Sequence, residues 1–172
     1  MAFIEVRERD GSNMEQAFAL RPEVYAAWRR LVNAVKESSD ERRYELATFA
    51  AARRLRSSYC SLAHGKVLAE QFYDFESVPS LPKGLDEDDR AIMAFAERVV
   101  ADATAITQLD IDELRGHGLS DGEIFDVVLA ATIRCFFSKT LDALGVQPDA
   151  ELAQLDPAFR EPLTVGRPIE TA

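Results

Sequence analysis

A cysteine and a histidine stand four residues apart near the middle of the chain, at Cys60 and His64. On a helix, this spacing places the two side chains on one face. Ser57 and Ser58 are good helix caps, so we expect Cys60 in the first turn, where free backbone N–H groups and the helix dipole favour a thiolate. His64, one turn later, can accept or return a proton near neutral pH. The pair therefore indicates nucleophilic thiol chemistry assisted by proton transfer.

A third candidate group, Glu45, lies in the helix that is predicted to precede this one. It stands between Tyr44 and Leu46, which are residues of the kind found in cores. A carboxyl group on a partly apolar face is expected to have a raised pKa and to serve as a general base. A structural interpretation stays open, because a lone cysteine near a helix start is more often a small buried apolar residue. A lone histidine on a helix is likewise more often structural or at the surface.

The elements that position these residues are predicted to be helices. Apolar residues recur at helical spacing along most of the chain and strand patterns are almost missing, so the fold class is all-α, with about six to seven helices. We expect a single domain over residues 1–172, a length that supports one core. The core spans about residues 13–147, with a loop at 74–84. Residues 148–172 are expected to form an extended C-terminal arm with one short helix, which needs a neighbour to order it.

Capping residues mark where several of these helices begin and end. Asp40 and Asp86 each stand at the start of a predicted helix. Ser120, with Glu123 three residues later, forms a capping box that opens the longest predicted helix. This helix is expected to stop at Gly145.

The composition excludes several classes of protein. Lys and Arg total 20 against 30 Asp and Glu, a formal net charge of -10. Neither nucleic acid nor an anionic membrane surface is therefore an expected partner. Two cysteines and two histidines are too few for a disulfide-dense scaffold or a cysteine-only zinc site, and we expect no metal. Because no glycine-rich phosphate loop occurs, we expect no organic cofactor.

The second cysteine, Cys135, lies in the most apolar stretch of the sequence, residues 124–137. This stretch is interrupted by Asp126 and Arg134 and is too short to span a bilayer, so it is predicted to be a buried core helix. Cys135 is accordingly expected to be an inert core residue. The charged N-terminus does not suit a signal peptide, and we expect a cytoplasmic location, where free thiols persist.

The order and spacing of Glu45, Ser57, Cys60 and His64 resemble the motif Glu-x11-Cys-x2-Cys-x3-His. That motif belongs to the carboxymuconolactone decarboxylase and alkylhydroperoxidase D (AhpD) superfamily. The resemblance covers roughly residues 13–147 and is strongest to the peroxidase-related branch. The further phrases that carry it are Arg21-Pro22-Glu23, Arg42-Arg43-Tyr44-Glu45-Leu46, Tyr59-Cys60 with Ala63-His64-Gly65, Gly118-Leu119-Ser120-Asp121-Gly122-Glu123-Ile124, and Asp142-Ala143-Leu144-Gly145-Val146.

The resemblance implies a fold, a set of partners and a role for each motif residue. The fold is the AhpD-like helical bundle, assembled as a homo-oligomer (dimer, trimer or hexamer) with its site near subunit contacts. Cys60 matches the cysteine that attacks peroxide, and His64 matches the histidine of the proton network. Glu45 matches the glutamate that accepts the thiol proton, directly or through water. The implied partners are a small-molecule hydroperoxide and a thiol reductant, in an antioxidant reaction.

Ser57 departs from this pattern, because it occupies the position of the first motif cysteine. In the family that cysteine closes a disulfide with the second one, which a serine cannot do. After attack, Cys60 would be left as a sulfenic acid with no thiol three residues away. A small-molecule thiol can resolve it, Cys135 can resolve it, or peroxidase activity has been lost. The favoured hypothesis is a peroxidase-related oxidoreductase that reduces hydroperoxides through one cysteine with an added thiol.

Two further functions stay open. An acid–base enzyme of the lactone or decarboxylase type would use Glu45 and His64 and would not need Cys60. A non-catalytic or redox-sensing helical oligomer would report through Cys60 without turnover. Two other residues have open roles: Tyr59 can line the site or pack in the core, and His117 can line a pocket or lie in a solvated loop.

Overall fold

The computed structural model describes residues 2–6, 11–74 and 84–171. Over these ranges the chain forms eight α-helices and two short 3₁₀ turns and contains no strand. None of these helices is long and apolar enough to cross a membrane. The loop predicted at 74–84 falls almost wholly outside the described residues. In chain order the helices are α1 (Asn13–Phe18), α2 (Pro22–Ser38), α3 (Glu41–Arg54), α4 (Ser58–Gln71), α5 (Glu87–Asp102), α6 (Gln108–Gly116), α7 (Asp121–Ala143) and α8 (Pro157–Leu163), and the 3₁₀ turns are Ala103–Ala105 and Ala150–Gln154.

Helix α3 lies at the centre of the bundle, where it packs against α4, α5 and α7. Asp40 caps its N-terminus, as predicted, by accepting a hydrogen bond from a backbone N–H in the first turn. Every residue from Tyr44 to Ala52 is buried, and several of them are alanines, which let neighbouring helices approach closely. After α3 the chain reverses within three residues, because Arg56 adopts a left-handed conformation with φ of 57°. This short turn places the start of α4 beside the end of α3.

Helix α7 is the longest helix and packs across α3 and α5. Its N-terminus is the predicted capping box, in which Ser120 and Glu123 each bond the other's backbone N–H. Its C-terminus stops before Gly145, whose φ of +75° is readily adopted only by glycine. A side chain at that position would also collide with the ring of Phe3, only 2.8 Å away. The predicted boundaries of this helix are therefore confirmed.

An aromatic stack attaches the N-terminal helices to α7. Trp28 of α2 stacks on Phe137 of α7 with a centroid distance of 4.3 Å, and Phe18 of α1 stacks on the same ring at 5.5 Å. Helix α1, which the sequence does not predict, makes the helix count one higher than the expected six to seven. The stack belongs to the same apolar cluster as Cys60, so it helps to enclose the candidate site.

The C-terminal segment, residues 148–171, packs on its own chain, where the sequence predicts an extended arm that a neighbour must order. Phe159 and Leu163, one turn apart on α8, are buried and α8 contacts α4. Further along, the backbone N–H of Gly166 donates to Oγ of Ser58 at 2.8 Å. Burial of two large side chains and this hydrogen bond attach the segment to the rest of its own chain.

Candidate active site

Cys60 lies in the first turn of α4, as its spacing predicts, and is only 1% exposed. Two donors from α7 face its sulfur. Nη1 of Arg134 lies 3.4 Å from Sγ, and Oγ of Ser138 lies 3.2 Å from it. Arg134 and Ser138 stand four residues apart, so both project from one face of α7 toward the start of α4. The thiol is therefore held between a helix N-terminus, a guanidinium and a hydroxyl.

The guanidinium of Arg134 is itself buried, with 4% exposure. No carboxylate in the described part of the chain comes within 4.0 Å of it, and its Nε–H has no hydrogen-bond partner there. The ring of Phe137 covers the guanidinium at 5.3 Å. Burial alone would lower the pKa of Arg134, but Cys60 and Tyr44 raise it above its ordinary value. Arg134 is therefore a buried cation that interacts with the thiol of Cys60 and the phenol of Tyr44.

Glu45 and His64 form a second cluster, on the facing surfaces of α3 and α4. Nδ1 of His64 lies 2.5 Å from Oε2 of Glu45, and Nζ of Lys36 lies 2.9 Å from Oε1. Burial alone would raise the pKa of Glu45, but the hydrogen bonds and charges of His64 and Lys36 hold it at about 2. The raised pKa expected for Glu45 is therefore wrong, because its carboxylate is paired on both oxygens.

His64 is neutral at neutral pH. Burial and the charge of Arg134 lower its pKa to about 4, although Glu45 acts in the opposite direction. An ionised carboxylate can only accept hydrogen bonds, so the proton of the neutral ring lies on Nδ1 and is donated to Glu45. Nε2 then carries the free lone pair. The ring is thus held in the tautomer that can accept a proton at Nε2.

The two clusters are coupled through one guanidinium. Arg134 contacts the sulfur of Cys60 and also lowers the pKa of His64. Cys60 and His64 are one turn apart on α4, on the face that the sequence predicts. The arrangement can therefore combine a nucleophilic sulfur with a neutral imidazole and a fixed positive charge.

Ser57 and Tyr59 flank the cysteine but face other parts of the protein. Ser57 is buried, and its hydroxyl makes no capping hydrogen bond to α4. It lies instead near Asp142, whose pKa is raised by burial and lowered in part by this hydroxyl. The phenol of Tyr59 donates to Oδ2 of Asp149 at 2.5 Å, and burial raises the pKa of Tyr59. Tyr59 thus ties α4 to the C-terminal segment.

The remaining candidates lie apart from these clusters. Both cysteines are free thiols. The core position predicted for Cys135 is wrong: the helix turn that points Arg134 inward leaves Cys135 partly exposed, and partial burial raises its pKa. His117 caps the end of α6 and pairs with Asp88, Nδ1 to Oδ1 at 2.7 Å. Within the described ranges, no three side chains of the metal-binding types are grouped to hold an ion.

Sequence reasoning misses Arg134, Ser138 and Lys36 as residues of the site. A signal for the first two exists, since an arginine and a serine one turn apart interrupt an otherwise apolar helix. Buried polar groups of that kind require partners, which for these two is the sulfur of Cys60. Nothing in the sequence pairs Lys36 with Glu45, because the contact joins two helices across a turn.

Comparison with solved structures identifies the fold. An uncharacterized peroxidase-related protein from a Silicibacter species matches with a TM-score of 0.76 and 21% identity, over 83% of this chain and 79% of that one. A peroxidase-related protein from Ralstonia eutropha, described as an alkylhydroperoxidase AhpD core, matches with a TM-score of 0.74 and 21% identity, over 82% and 78%. A protein of unknown function from Agrobacterium tumefaciens matches with a TM-score of 0.69 and 18% identity, over 84% and 98%. No protein-family model and no curated protein matches the sequence. The chain has the AhpD-like helical fold.

Proposed function

We propose that the chain is a member of the carboxymuconolactone decarboxylase and AhpD superfamily, in its peroxidase-related branch. We propose further that it reduces hydroperoxides through Cys60 alone, with a low-molecular-weight thiol as reductant. The observation that carries the proposal is the placement of Cys60 at a helix start against a buried guanidinium, one turn before a neutral imidazole. The peroxidase-related proteins that share the fold support the same class of reaction.

The first step is displacement on the peroxide oxygen. The thiolate of Cys60 attacks the terminal oxygen of R–O–O–H, the O–O bond breaks, and the products are the sulfenic acid of Cys60 and an alkoxide. A proton converts the alkoxide to the alcohol R–OH. The sulfur is oxidised by two electrons and the peroxide is reduced by two.

His64 transfers the proton in this step, and Glu45 holds His64 in place. The free Nε2 of His64 can relay a proton to the leaving oxygen as the O–O bond breaks. Glu45, fixed on Nδ1, stabilises the imidazolium that forms in between. In this arrangement Glu45 is the anchor of the histidine, whereas the family resemblance assigns it the thiol proton.

An external thiol must complete the cycle. Ser57 cannot form a disulfide, and Cys135 is turned away from the site on α7. One thiol condenses with the sulfenic acid to give a mixed disulfide and water. A second thiol then attacks that disulfide, which releases Cys60 and the oxidised reductant.

The surroundings of Cys60 favour an organic hydroperoxide as substrate. Ala52, Phe137 and Leu141 belong to the same buried cluster as the sulfur. Apolar walls bind an alkyl or aryl group better than the fully polar hydrogen peroxide molecule. We therefore expect a higher kcat/KM for an aryl hydroperoxide than for hydrogen peroxide.

We also propose that the protein acts in the cytoplasm as a homo-oligomer. Helices α2 and α7 expose large apolar side chains, with Val24 at 43%, Leu31 at 50%, Phe125 at 60% and Phe136 at 47%. Apolar patches of this kind mark surfaces that associate. Light scattering on the purified protein measures the mass directly, and a monomer at all concentrations would contradict this part of the proposal.

The test of function compares two cysteine variants. Cumene hydroperoxide consumption is followed with dithiothreitol present, for the wild type, Cys60→Ser and the matched control Cys135→Ser. We expect loss of turnover in Cys60→Ser and retention in Cys135→Ser. Mass spectrometry after limiting hydroperoxide should find one added oxygen on Cys60 when thiol is absent. Equal background consumption by all three proteins would contradict the proposal.

Two other outcomes would assign the site differently. A stable sulfenic acid on Cys60 without turnover would indicate redox sensing. Activity toward a lactone acid that survives in Cys60→Ser would indicate acid–base chemistry by Glu45 and His64. The structure argues against the second outcome, because Glu45 is already ionised and paired with Lys36, which makes it a weak base.

A further inference from the structure

We propose that Arg134 and Ser138 bind Cys60 as a thiolate in the resting protein, so that the nucleophile is formed by charge rather than by proton transfer to Glu45. This inference rests on the proposed function for its purpose. It concerns the ionisation of one thiol, however, and it can be tested without any peroxide.

The charge balance at Arg134 is the first argument. Its guanidinium is buried without a carboxylate partner among the described residues, and a buried unpaired ion costs several kcal/mol. Nη1 is directed at Sγ of Cys60 at 3.4 Å. Ionisation of the thiol supplies the missing counter-ion. The buried thiolate and the buried guanidinium then stabilise each other, whereas either ion alone would be unfavourable there.

The hydroxyl of Ser138 is the second argument. It donates to Sγ at 3.2 Å from the side of α7, one turn after Arg134. A thiolate accepts hydrogen bonds far better than a neutral thiol, so both donors stabilise the charged form. The free N–H groups in the first turn of α4 act in the same direction.

The other titratable groups near the sulfur do not stabilise the thiolate of Cys60. Glu45 is held by Lys36 and His64 with a pKa of about 2, so it cannot take a proton from a thiol at neutral pH. His64 is neutral and adds no positive charge. Asp142, near Ser57 at the other end of α7, carries a raised pKa and disfavours a nearby anion when it is ionised. The phenol of Tyr44 also interacts with the guanidinium of Arg134, but it carries no positive charge. Arg134 is thus the only one of these neighbours that favours the thiolate.

The experiment measures the ionisation of Cys60 by the ultraviolet absorbance of its thiolate, as a function of pH. Cys135→Ser is the background, and the Cys60→Ser Cys135→Ser double variant is subtracted at each pH. Removing the guanidinium with Arg134→Gln should raise the pH midpoint by about 1 to 3 units. Ser138→Ala should raise the midpoint by less. Arg134→Lys keeps a positive charge, so its midpoint should lie close to the wild-type value.

Arg53→Gln is the matched control. Arg53 is a partly buried arginine whose guanidinium also lies over a phenylalanine ring, Phe49 at 5.6 Å, but it makes no hydrogen bond to Cys60. Its midpoint should stay at the wild-type value. Circular dichroism verifies folding of each variant. If Arg134→Gln does not fold, Arg134→Met removes the charge with an apolar side chain of similar length, and Ser138→Ala removes the second donor.

The outcomes separate this inference from the proposed function. A midpoint that does not move in the folded Arg134→Gln and Ser138→Ala variants overturns the inference, even if the wild type consumes hydroperoxide. The same holds if Arg53→Gln moves the midpoint as far as Arg134→Gln does. A midpoint that shifts as expected upholds the inference, even if the wild type shows no turnover.

Discussion

The protein should lose stability in mild acid because of His64, and replacing His64 with glutamine should abolish most of that loss. In the folded chain the pKa of His64 lies at about 4, against an ordinary value of 6.5. Between pH 6.5 and pH 4, His64 is therefore protonated in the unfolded chain but not in the folded chain. The free energy of unfolding then falls as the pH falls. The loss ends near pH 4, where the folded histidine also becomes protonated.

The magnitude follows from the difference between the two pKa values. It is about 2.5 pH units, and each unit corresponds to about 1.4 kcal/mol. Between pH 6.5 and pH 4 the wild type should therefore lose on the order of 3 kcal/mol, a large part of a typical stability of about 5–15 kcal/mol. Glu45 extends the loss below this window. Its folded pKa of about 2 lies under the ordinary 4.5, so its contribution is present above pH 4.5 and disappears toward pH 2.

Urea unfolding at a series of pH values between 6.5 and 4.5 tests this reasoning, because ordinary carboxylates titrate mostly below that range and the carboxyl groups with raised pKa values are the same in the wild type and the variant. His64→Gln keeps a donor toward Glu45 but cannot be protonated, so its stability should be nearly flat there. His117→Gln, which removes the other histidine of the chain, is the matched substitution outside the site. Parallel curves for the wild type and His64→Gln would show that His64 is not held neutral by its surroundings.

Three further changes have definite expected results. Ser57→Cys should allow a disulfide between the introduced thiol and Cys60 after oxidation, detected as a mass loss of two hydrogens; its absence would argue against their placement at one helix start. Gly166→Ala would put a methyl group 1.9 Å from a backbone oxygen in the turn before α4, so it should displace the C-terminal segment and speed alkylation of Cys60 by iodoacetamide. Asp89→Asn should lower the free energy of unfolding by about 2 kcal/mol, measured by urea denaturation, since the amide replaces one of the two buried oxygens that accept hydrogen bonds from Arg42 and Tyr73.

The parts of the fold that the sequence predicts are those determined by local chemistry. The start of α7 follows from a serine and a glutamate three residues apart, and its end follows from one glycine. Helix α1 also begins with a capping box, Ser12 with Glu15. It is only six residues long, however, and too short to show helical periodicity. Helix α1 is stabilised by the stacking of Phe18 on Phe137, which is more than one hundred residues away in the sequence. No local pattern reveals such a contact.

The candidate site is predictable where it depends on spacing along one helix and unpredictable where it depends on contacts between helices. Cys60 and His64 share a face of α4 because they are four residues apart. The pKa of Glu45 depends instead on Lys36, which meets it only after α2 and α3 pack together. The exposure of Cys135 likewise depends on which face of α7 the other helices cover, and the sequence of α7 alone does not determine that face.

Ser57 stands where the proposed family has a cysteine, and this difference fits with the geometry around the sulfur of Cys60. A serine is as small as a cysteine, so the buried position at the start of α4 can exchange one for the other without changing the packing. What is lost is the neighbouring thiol that would remove the sulfenic acid. In the proposed one-cysteine cycle, the thiolate and the deprotonated sulfenic acid of Cys60 both carry negative charge. A buried guanidinium beside Cys60, with one N–H still without a partner, stabilises such states. In the proposed cycle, Arg134 therefore stabilises the anionic states of the single cysteine.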